Sequence, residues 1–230
     1  VDYSIEHNMI LDKINLSTNG TQKIAIVGVS GSGKSTILNI ISGILDDYLG
    51  EIRINNISFT DIDKKSFKNQ VGYITQEAVI FTGSIFDNVT LFSKKNKQNI
   101  ELFNDSLKQA SIYEFVESLT SGSETILYES GNILSGGQKQ RINIARELFK
   151  TPKLLLIDEA SSSLDTDAEL IIQSTMENLR GKVMMFVVAH RLNTIKSSDK
   201  IILINQGKVE ATGSFNSLIE KSPNFRNMVD

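Results

Sequence analysis

A glycine-rich segment between an apolar run and a helical pattern is the strongest chemical signal in the sequence. Residues 28–35 read GVSGSGKS and match the pattern G-x-x-x-x-G-K-[ST]. The glycines let backbone N–H groups turn inward around phosphate oxygens, and a helix that begins near Lys34 points its positive dipole end at them. Lys34 is placed to reach the β- and γ-phosphates of a nucleotide, and Ser35 to ligate Mg²⁺.

Two adjacent carboxylates, Asp158 and Glu159, follow the apolar run at 154–157. Successive strand residues point to opposite faces, but beyond the strand end both side chains can turn toward a bound nucleotide. Asp158 would then face Mg²⁺, and Glu159 would face an attacking water. The pair therefore indicates hydrolysis rather than binding alone.

The elements that must position these groups are predicted from hydrophobic periodicity. Buried parallel strands are predicted at 23–27, 154–157 and 183–189. Polar residues follow each strand, at the end where open α/β sheets build their ligand sites. Helical patterns cover 35–42, 99–110, 138–149 and 167–179, and hairpin or edge strands are predicted at 51–54, 201–204 and 208–211. The predicted fold class is α/β.

Strand signals vanish between Gln76 and about Asn143, where amphipathic helical stretches with polar joints take over. This pattern predicts a helical insertion in the α/β core. The lysine-rich stretch at 93–97 fits a solvated loop at a helix entrance better than a nucleic-acid patch.

Composition narrows the function classes. The 230 residues are 40% hydrophobic and 22% charged, with a net charge of −3 and no cysteine. The missing cysteines exclude disulfide frameworks, thiolate zinc sites and thiol nucleophiles, and the absence of a basic excess argues against a nucleic-acid partner. No apolar run approaches the length of a membrane span. The chain begins at Val1 rather than Met, which is compatible with a piece of a longer protein.

Residues 134–138, which read LSGGQ, resemble the signature motif of ABC ATPases, and the tail Lys139-Gln140-Arg141 fits as well. The resemblance extends over essentially the whole chain. In family order the matching motifs are Walker A at Gly28 to Ser35, the Q-loop Gln76, the signature, Walker B at Leu154 to Asp158 with Glu159, the D-loop Ser163-Leu164-Asp165, and His190.

The resemblance implies a P-loop NTPase fold: a RecA-like core with a mostly parallel sheet, a small antiparallel β subdomain and an inserted helical subdomain. Residues 1–230 would form a single ABC ATPase domain, with the core at 1–75 and 144–230 and the helical subdomain at 76–143.

The resemblance also implies ATP and Mg²⁺ as cofactors. Two such domains would form a head-to-tail sandwich, an identical chain being the expected partner, with each ATP between one subunit's Walker A and the other's signature. Residues 135–137 are expected to precede a helix from Gln138, so that their N–H groups complete a cage around the γ-phosphate.

Site roles are carried over onto the matching positions. Catalytic roles fall on Glu159 as general base, His190 at the γ-phosphate, Gln76 at Mg²⁺ and the attacking water, and Lys34. Metal-binding roles fall on Ser35, Gln76 and Asp158. Nucleotide-binding roles fall on Tyr3, Gly28, Val29, Ser30, Gly31, Ser32, Gly33, Lys34, Ser35, Thr36, Ser135, Gly136, Gly137, Gln138 and Asp165, the last at the subunit junction.

Tyr3 is the candidate for stacking on adenine, since an aromatic residue upstream of the loop usually does so in this family. In relatives with two closely spaced aromatics the stacking residue aligns nearer Ile5, which would leave Tyr3 a packing role.

Residues 125–131 resemble the T-x-x-G-E-x-G segment typical of exporter-type ATPase domains, with Tyr128 in place of the usual glycine. Residues 81–89 are similar to the exporter pattern after the Q-loop. These segments favour an ATPase domain of an exporter, located at the cytoplasmic face of a membrane and fused in its native chain to a transmembrane domain. The alternatives are an ATPase subunit of an ABC importer and a non-transport ABC ATPase.

Overall fold

A computed structural model of the chain describes residues 1–5, 8–129, 134–159, 166–189 and 191–229. Within these ranges the strands are β1 (Tyr3–Ile5), β2 (Asn8–Leu11), β3 (Lys23–Val27), β4 (Arg53–Ile54), β5 (Ile57–Ser58), β6 (Val71–Ile74), β7 (Gly83–Ser84), β8 (Ile126–Leu127), β9 (Leu154–Asp158), β10 (Met184–Val188), β11 (Lys200–Asn205) and β12 (Lys208–Gly213). The helices are α1 (Lys34–Ile41), α2 (Lys64–Gln70), α3 (Ile85–Thr90), α4 (Lys97–Gln109), α5 (Tyr113–Ser118), α6 (Gly136–Phe149), α7 (Thr166–Leu179), α8 (Leu192–Lys196), α9 (Phe215–Lys221) and α10 (Pro223–Val229).

The main sheet has six strands in the order β12-β11-β3-β10-β9-β6. Neighbours from β11 to β6 pair in parallel, and β12 closes one edge by pairing antiparallel with β11. The buried strands predicted at 23–27, 154–157 and 183–189 are confirmed as β3, β9 and β10. The hairpin or edge strands predicted at 201–204 and 208–211 are β11 and β12, which form a hairpin with β12 at the edge of the sheet. Because the inner strands are parallel, their carboxyl ends meet at one edge of the sheet.

Side chains that alternate along β3 divide the core into two layers, as the two-residue period of a strand requires. Ala25 and Val27 contribute to one hydrophobic cluster, which also holds Ile142 of α6. Ile24 and Ile26 contribute to the other, which holds Leu38 of α1. Therefore α1 and α6 pack on opposite faces of the sheet.

Small antiparallel pairs flank this core. β1 pairs with β2 and β4 with β5, and an isolated bridge joins Asp2 to Leu49. A third pair, β7 with β8, lies in the region where the sequence predicts no strands. That expectation is wrong at these four residues, because strands of two residues are too short to show a period. The boundary at residue 143 falls inside α6, and the division into subdomains stays a prediction.

Membrane-spanning helices are missing from the described ranges, in which no helix is long and apolar enough to cross a bilayer.

A buried lysine fixes the end of β3 that lies away from the candidate site. The Lys23 side chain is 2% exposed, and its Nζ lies 2.5 Å from Glu177 Oε1 and 2.8 Å from Ser197 Oγ. Burial alone would raise the pKa of Glu177, but hydrogen bonds and charges, chiefly those of Lys23, outweigh it and lower the pKa. The folded state therefore favours the ionised carboxylate.

We expect Glu177→Gln to lower the free energy of unfolding at pH 7 by about 1–2 kcal/mol, since the Lys23 ammonium loses an anionic partner that is itself partly solvated. A lowered folded-state pKa stabilises above the unfolded pKa of about 4.3, and this contribution disappears as pH falls through the folded value. The deficit, measured by urea unfolding, should shrink from pH 7 toward pH about 2. The exposed Glu101→Gln serves as control, and a deficit independent of pH would contradict the assignment.

Candidate functional site

The loop after β3 takes a backbone course that glycine makes possible. Gly28, Gly31 and Gly33 have φ of 153°, 76° and 100°. A Cβ at Gly28 would lie 2.1 Å from the carbonyl oxygen of Ile204, and one at Gly33 would lie 2.6 Å from Leu11 Cδ2. Neither position has room for a side chain, so the loop seats directly on its neighbours and leads into α1.

The ammonium group of Lys34 is folded back into this loop. Its Nζ donates to the carbonyl oxygens of Gly28, at 3.0 Å, and Val29, at 2.9 Å. Burial lowers the pKa of Lys34, while the negative charges of Glu159 and Asp158 act in the opposite direction. The loop therefore holds a positive charge against two of its own carbonyl oxygens.

Ser35 and Asp158 are brought together from distant parts of the chain. Ser35, in the first turn of α1, donates its hydroxyl to Asp158 Oδ1 at 3.1 Å, and Asp158 ends β9. Hydroxyl and carboxylate oxygens are the hard ligands that Mg²⁺ prefers. The donor set at this point fits the ion expected from the sequence.

Glu159 lies one residue beyond β9, where the chain turns sharply. Its φ of 49° is in the left-handed region, an uncommon conformation for a residue with a side chain. This turn ends the strand alternation directly after Asp158. The negative charges of both carboxylates act to raise the pKa of Lys34, against the effect of burial. The structure therefore brings these three residues together at one edge of the sheet.

The remaining loop residues differ in exposure. Val29, Ser30 and Gly31 are exposed, and Thr36 is half-buried in α1. Ser32 is buried, and its hydroxyl has no hydrogen-bond partner among the described residues. The Ser32 Oγ would be 2.8 Å from a Cβ at Gly28, so it lies close to the first residue of the same loop. Buried hydroxyls are usually paired, and a phosphate oxygen held by the loop is the kind of acceptor that this group lacks.

Gln76 follows β6, whose carboxyl end lies at the same edge of the sheet as that of β9. The residue is exposed in a bend, two positions after Ile74. Thr75 stabilises the bend by donating its hydroxyl to the carbonyl oxygen of Glu77 at 2.7 Å. The three segments that end β3, β9 and β6 thus open onto one side of the molecule.

The start of α6 is fixed by a reciprocal cap. Ser135 Oγ accepts from the Gln138 N–H at 3.2 Å, and Gln138 Oε1 accepts from the Ser135 N–H at 2.8 Å. The helix therefore begins at Gly136, not at Gln138 as the sequence predicts, because the Ser-x-x-Gln pattern makes Ser135 the N-cap. Gly136 and Gly137 lie in the first turn, where backbone N–H groups have no partner within the helix.

Gly137 packs α6 closely against α7. A Cβ at Gly137 would lie 2.5 Å from Ala168 Cβ, shorter than a van der Waals contact. Arg141 ties the same turn to the α4–α5 connection by donating to the carbonyl oxygens of Gly137, at 3.3 Å, and Ser111, at 2.8 Å. The start of α6 is thus set by packing as well as by its cap.

Tyr3 lies on the strand next to the one that touches the loop. It is half-buried in β1 and pairs with Leu11 of β2, whose side chain limits the space at Gly33. Ile5 is 49% exposed. The contact of Tyr3 with the core agrees with a packing role, and its stacking on adenine stays a prediction.

Asp165 and His190, which the sequence places at the subunit junction and the γ-phosphate, lie outside the described residues.

Sequence reasoning missed the buried polar side chains of α6. Gln140, Arg146 and Glu147 are all nearly inaccessible to solvent. Arg146 donates to the backbone carbonyl oxygen of Asn88 at 2.7 Å and to its Oδ1 at 3.1 Å, and Phe81 packs on the guanidinium, 4.7 Å from its ring centroid. Burial lowers the pKa of Arg146. The sequence of α6 does not distinguish these side chains from solvated ones, because only the fold brings their partners to them.

Comparisons with known proteins agree on one family. The family model described as ABC transporter matches residues 11–162. ABC transporter B family member 14 of Arabidopsis thaliana is 36% identical over 228 residues, which are 99% of this chain and 18% of that protein. The ATP-dependent lipid A-core flippase of Hahella chejuensis is 40% identical over 219 residues, 95% of this chain and 37% of that protein.

A solved structure, that of a bacterial Atm1-family ABC exporter with ATP bound, superposes with a TM-score of 0.89 at 33% identity. The match covers 99% of this chain and 40% of the other. The chain thus spans two fifths or less of the length of these three proteins.

We expect Gly137→Ala to destabilise the fold by about 1–3 kcal/mol through overpacking against Ala168, although alanine is the better helix former. Ala168→Gly removes the opposing methyl group, so the double variant should recover much of the loss. Urea unfolding of both single variants and the double variant gives the coupling energy. Purely additive effects would contradict the close contact.

Proposed function

The chain belongs to the ABC transporter family as its ATPase domain, and from this premise we propose that it binds and hydrolyses Mg²⁺-ATP to power export across a membrane. The observation that carries the proposal is the meeting of Lys34, Ser35, Asp158 and Glu159 at the carboxyl edge of the sheet. Each of these groups has a distinct part in phosphoryl transfer.

Nucleotide binding rests on the loop and Lys34. The two carbonyl oxygens that Lys34 contacts are neutral acceptors, so phosphate oxygens compete well for the ammonium. The N–H groups at the start of α1, together with the helix dipole, favour the same anionic ligand. Thr36 and the exposed residues 29–31 would line the bound phosphates.

Hydrolysis needs a metal site and a base. Ser35 and Asp158 would hold Mg²⁺, and Gln76 would contribute from the end of β6. Mg²⁺ supplies positive charge against the negative charge that develops on the phosphates. Glu159 would accept the proton of the water that attacks the γ-phosphorus, while His190 would hold the γ-phosphate.

A second copy of the chain would complete the site. Ser135 and Gly136 are exposed at the start of α6. The N–H groups of Gly136 and Gly137 in this first turn have no partner within the helix and suit an anion. Because α1 and α6 pack on opposite faces of the sheet, one nucleotide is more readily shared between two chains than enclosed by one. Gly137, Gln138 and Asp165 would belong to the same junction.

The direction of transport is supported by the kind of relatives. One is named a lipid A-core flippase and another an ABC exporter, and the chain covers 37% and 40% of them. We place this domain at the cytoplasmic face of a membrane, with its transmembrane domain in the same native chain.

Two variants separate binding from hydrolysis. Glu159→Gln should retain ATP affinity, lower turnover by about a hundredfold or more, and accumulate an ATP-bound dimer, because the base is lost while the phosphate contacts remain. Lys34→Ala should lower ATP affinity by about tenfold or more through loss of a charge-assisted contact. Calorimetry, phosphate release and light scattering provide the readouts. Undiminished turnover in Glu159→Gln, or undiminished affinity in Lys34→Ala, would refute the respective assignment.

We expect the native protein to resist extraction from membranes by high salt and carbonate and to require detergent, at a mass well above the 25.5 kDa of this chain. An antibody against this domain detects it in each fraction. A band near 25.5 kDa that carbonate releases would contradict the fused exporter and indicate a separate ATPase subunit.

A further inference from the structure

The outer edge of β6 is covered by helix α6 rather than by another strand. β6 pairs with β9 on one side only and is the last strand of the main sheet. Alternate residues of a strand direct their backbone groups to the same side. Tyr73 in β6 and Thr75, the residue directly after the strand, can therefore both face α6. An edge left in this way has unpaired N–H and C=O groups that need partners.

Two side chains of α6 supply those partners. Glu147 Oε2 accepts from the backbone N–H of Tyr73 at 3.0 Å, and Gln140 Nε2 donates to the carbonyl oxygen of Thr75 at 3.1 Å. The two residues are seven positions apart, or about two helical turns, and therefore lie on one face of α6. Gly72 provides the space, since a Cβ there would lie 3.2 Å from Glu147 Cβ and 2.8 Å from Leu155 Cδ1.

The hydrogen bond of Gln140 connects two segments that carry predicted site residues. Thr75 immediately precedes Gln76, and Gln140 lies two positions after Gln138, whose side chain closes the cap of α6. The Gln140 residue is 2% exposed, so the donor side of this hydrogen bond is shielded from water, while Thr75 itself is exposed. One partly buried hydrogen bond thus joins the first turns of α6 to the segment that carries Gln76.

We propose that Gln140 is a positioning residue for hydrolysis, which fixes Gln76 relative to the start of α6 within one chain. When the first turn of α6 meets the nucleotide of the partner copy, a displacement of the helix is carried to Thr75 and thereby to the chain's own Gln76. Gln140 does not touch the substrate and acts through the backbone of its neighbour. This proposal rests on the function proposed for Gln76.

Only the N–H donor of the Gln140 amide makes the contact with Thr75, so replacements that lack this donor test it. Methionine matches glutamine in length and fits a buried site, but it cannot donate to the Thr75 carbonyl. Glutamate keeps the shape and presents an ionised acceptor to an acceptor. Both replacements should release Gln76 while leaving the loop around Lys34 in place, since the hydrogen bond of Gln140 goes to Thr75 and not to that loop.

The experiment measures ATP turnover by the native protein that carries this chain, in detergent or nanodiscs. We expect Gln140→Met to lower kcat about tenfold and to leave KM for ATP within about twofold, with Gln140→Glu at least as impaired. Gln173→Met is the matched control, since its amide donates to Glu169 at 3.0 Å within α7, and its kcat should be unchanged. Thermal unfolding of each variant reports on the fold.

A double variant distinguishes positioning from general structural support. Gln76→Ala should lower kcat by itself. Gln140→Met should then have no further effect, because both variants remove the same contribution of Gln76 to hydrolysis. Additive losses, a changed KM with an unchanged kcat, or an unchanged kcat in Gln140→Met would overturn the proposal. If Gln76→Ala alone leaves kcat unchanged, the role proposed for Gln76 fails first and the positioning role fails with it.

Discussion

The loop after β3 can close only because no side chain stands between Gly28 and the carbonyl oxygen of Ile204. That approach fixes the loop against β11, which pairs with β3 in parallel. The position of α1 follows, and with it the position of Lys34 and Ser35 at the first turn. Since β9 ends at the same edge of the sheet, the order of the strands is enough to bring Asp158 within hydrogen-bond distance of Ser35. The chemistry of the site thus derives from one backbone contact and from the parallel order of the strands.

Much of this arrangement could be predicted from the sequence. β3, β9 and β10 are continuous apolar runs, because strands buried on both faces need no polar alternation. The phosphate-binding loop has a pattern that its mechanism constrains, so its location between β3 and α1 could be read directly. Helix α6 begins two residues before the predicted start, because Ser135 is its N-cap.

Other features left no readable signal. β7 and β8 have two residues each, and no periodicity exists at that length. Glu147 binds a backbone group of β6 and Gln140 binds one of the residue that follows it. Every residue has such backbone groups, so the sequence does not reveal which of them will be the partner. Arg146 is recognised as buried only when Asn88 and Phe81 are found around it. Polar residues that serve distant backbone look like solvated ones until the helix is placed.

Gly72 illustrates how such packing restricts sequence drift. Its missing side chain accommodates a leucine methyl group from the neighbouring strand and the stem of a glutamate from the covering helix at the same time. A larger residue there would require both neighbours to be smaller. A side chain shorter than Glu147 would lose the hydrogen bond to the Tyr73 N–H at the strand edge. Positions 72, 147 and 155 are therefore expected to change together or not at all.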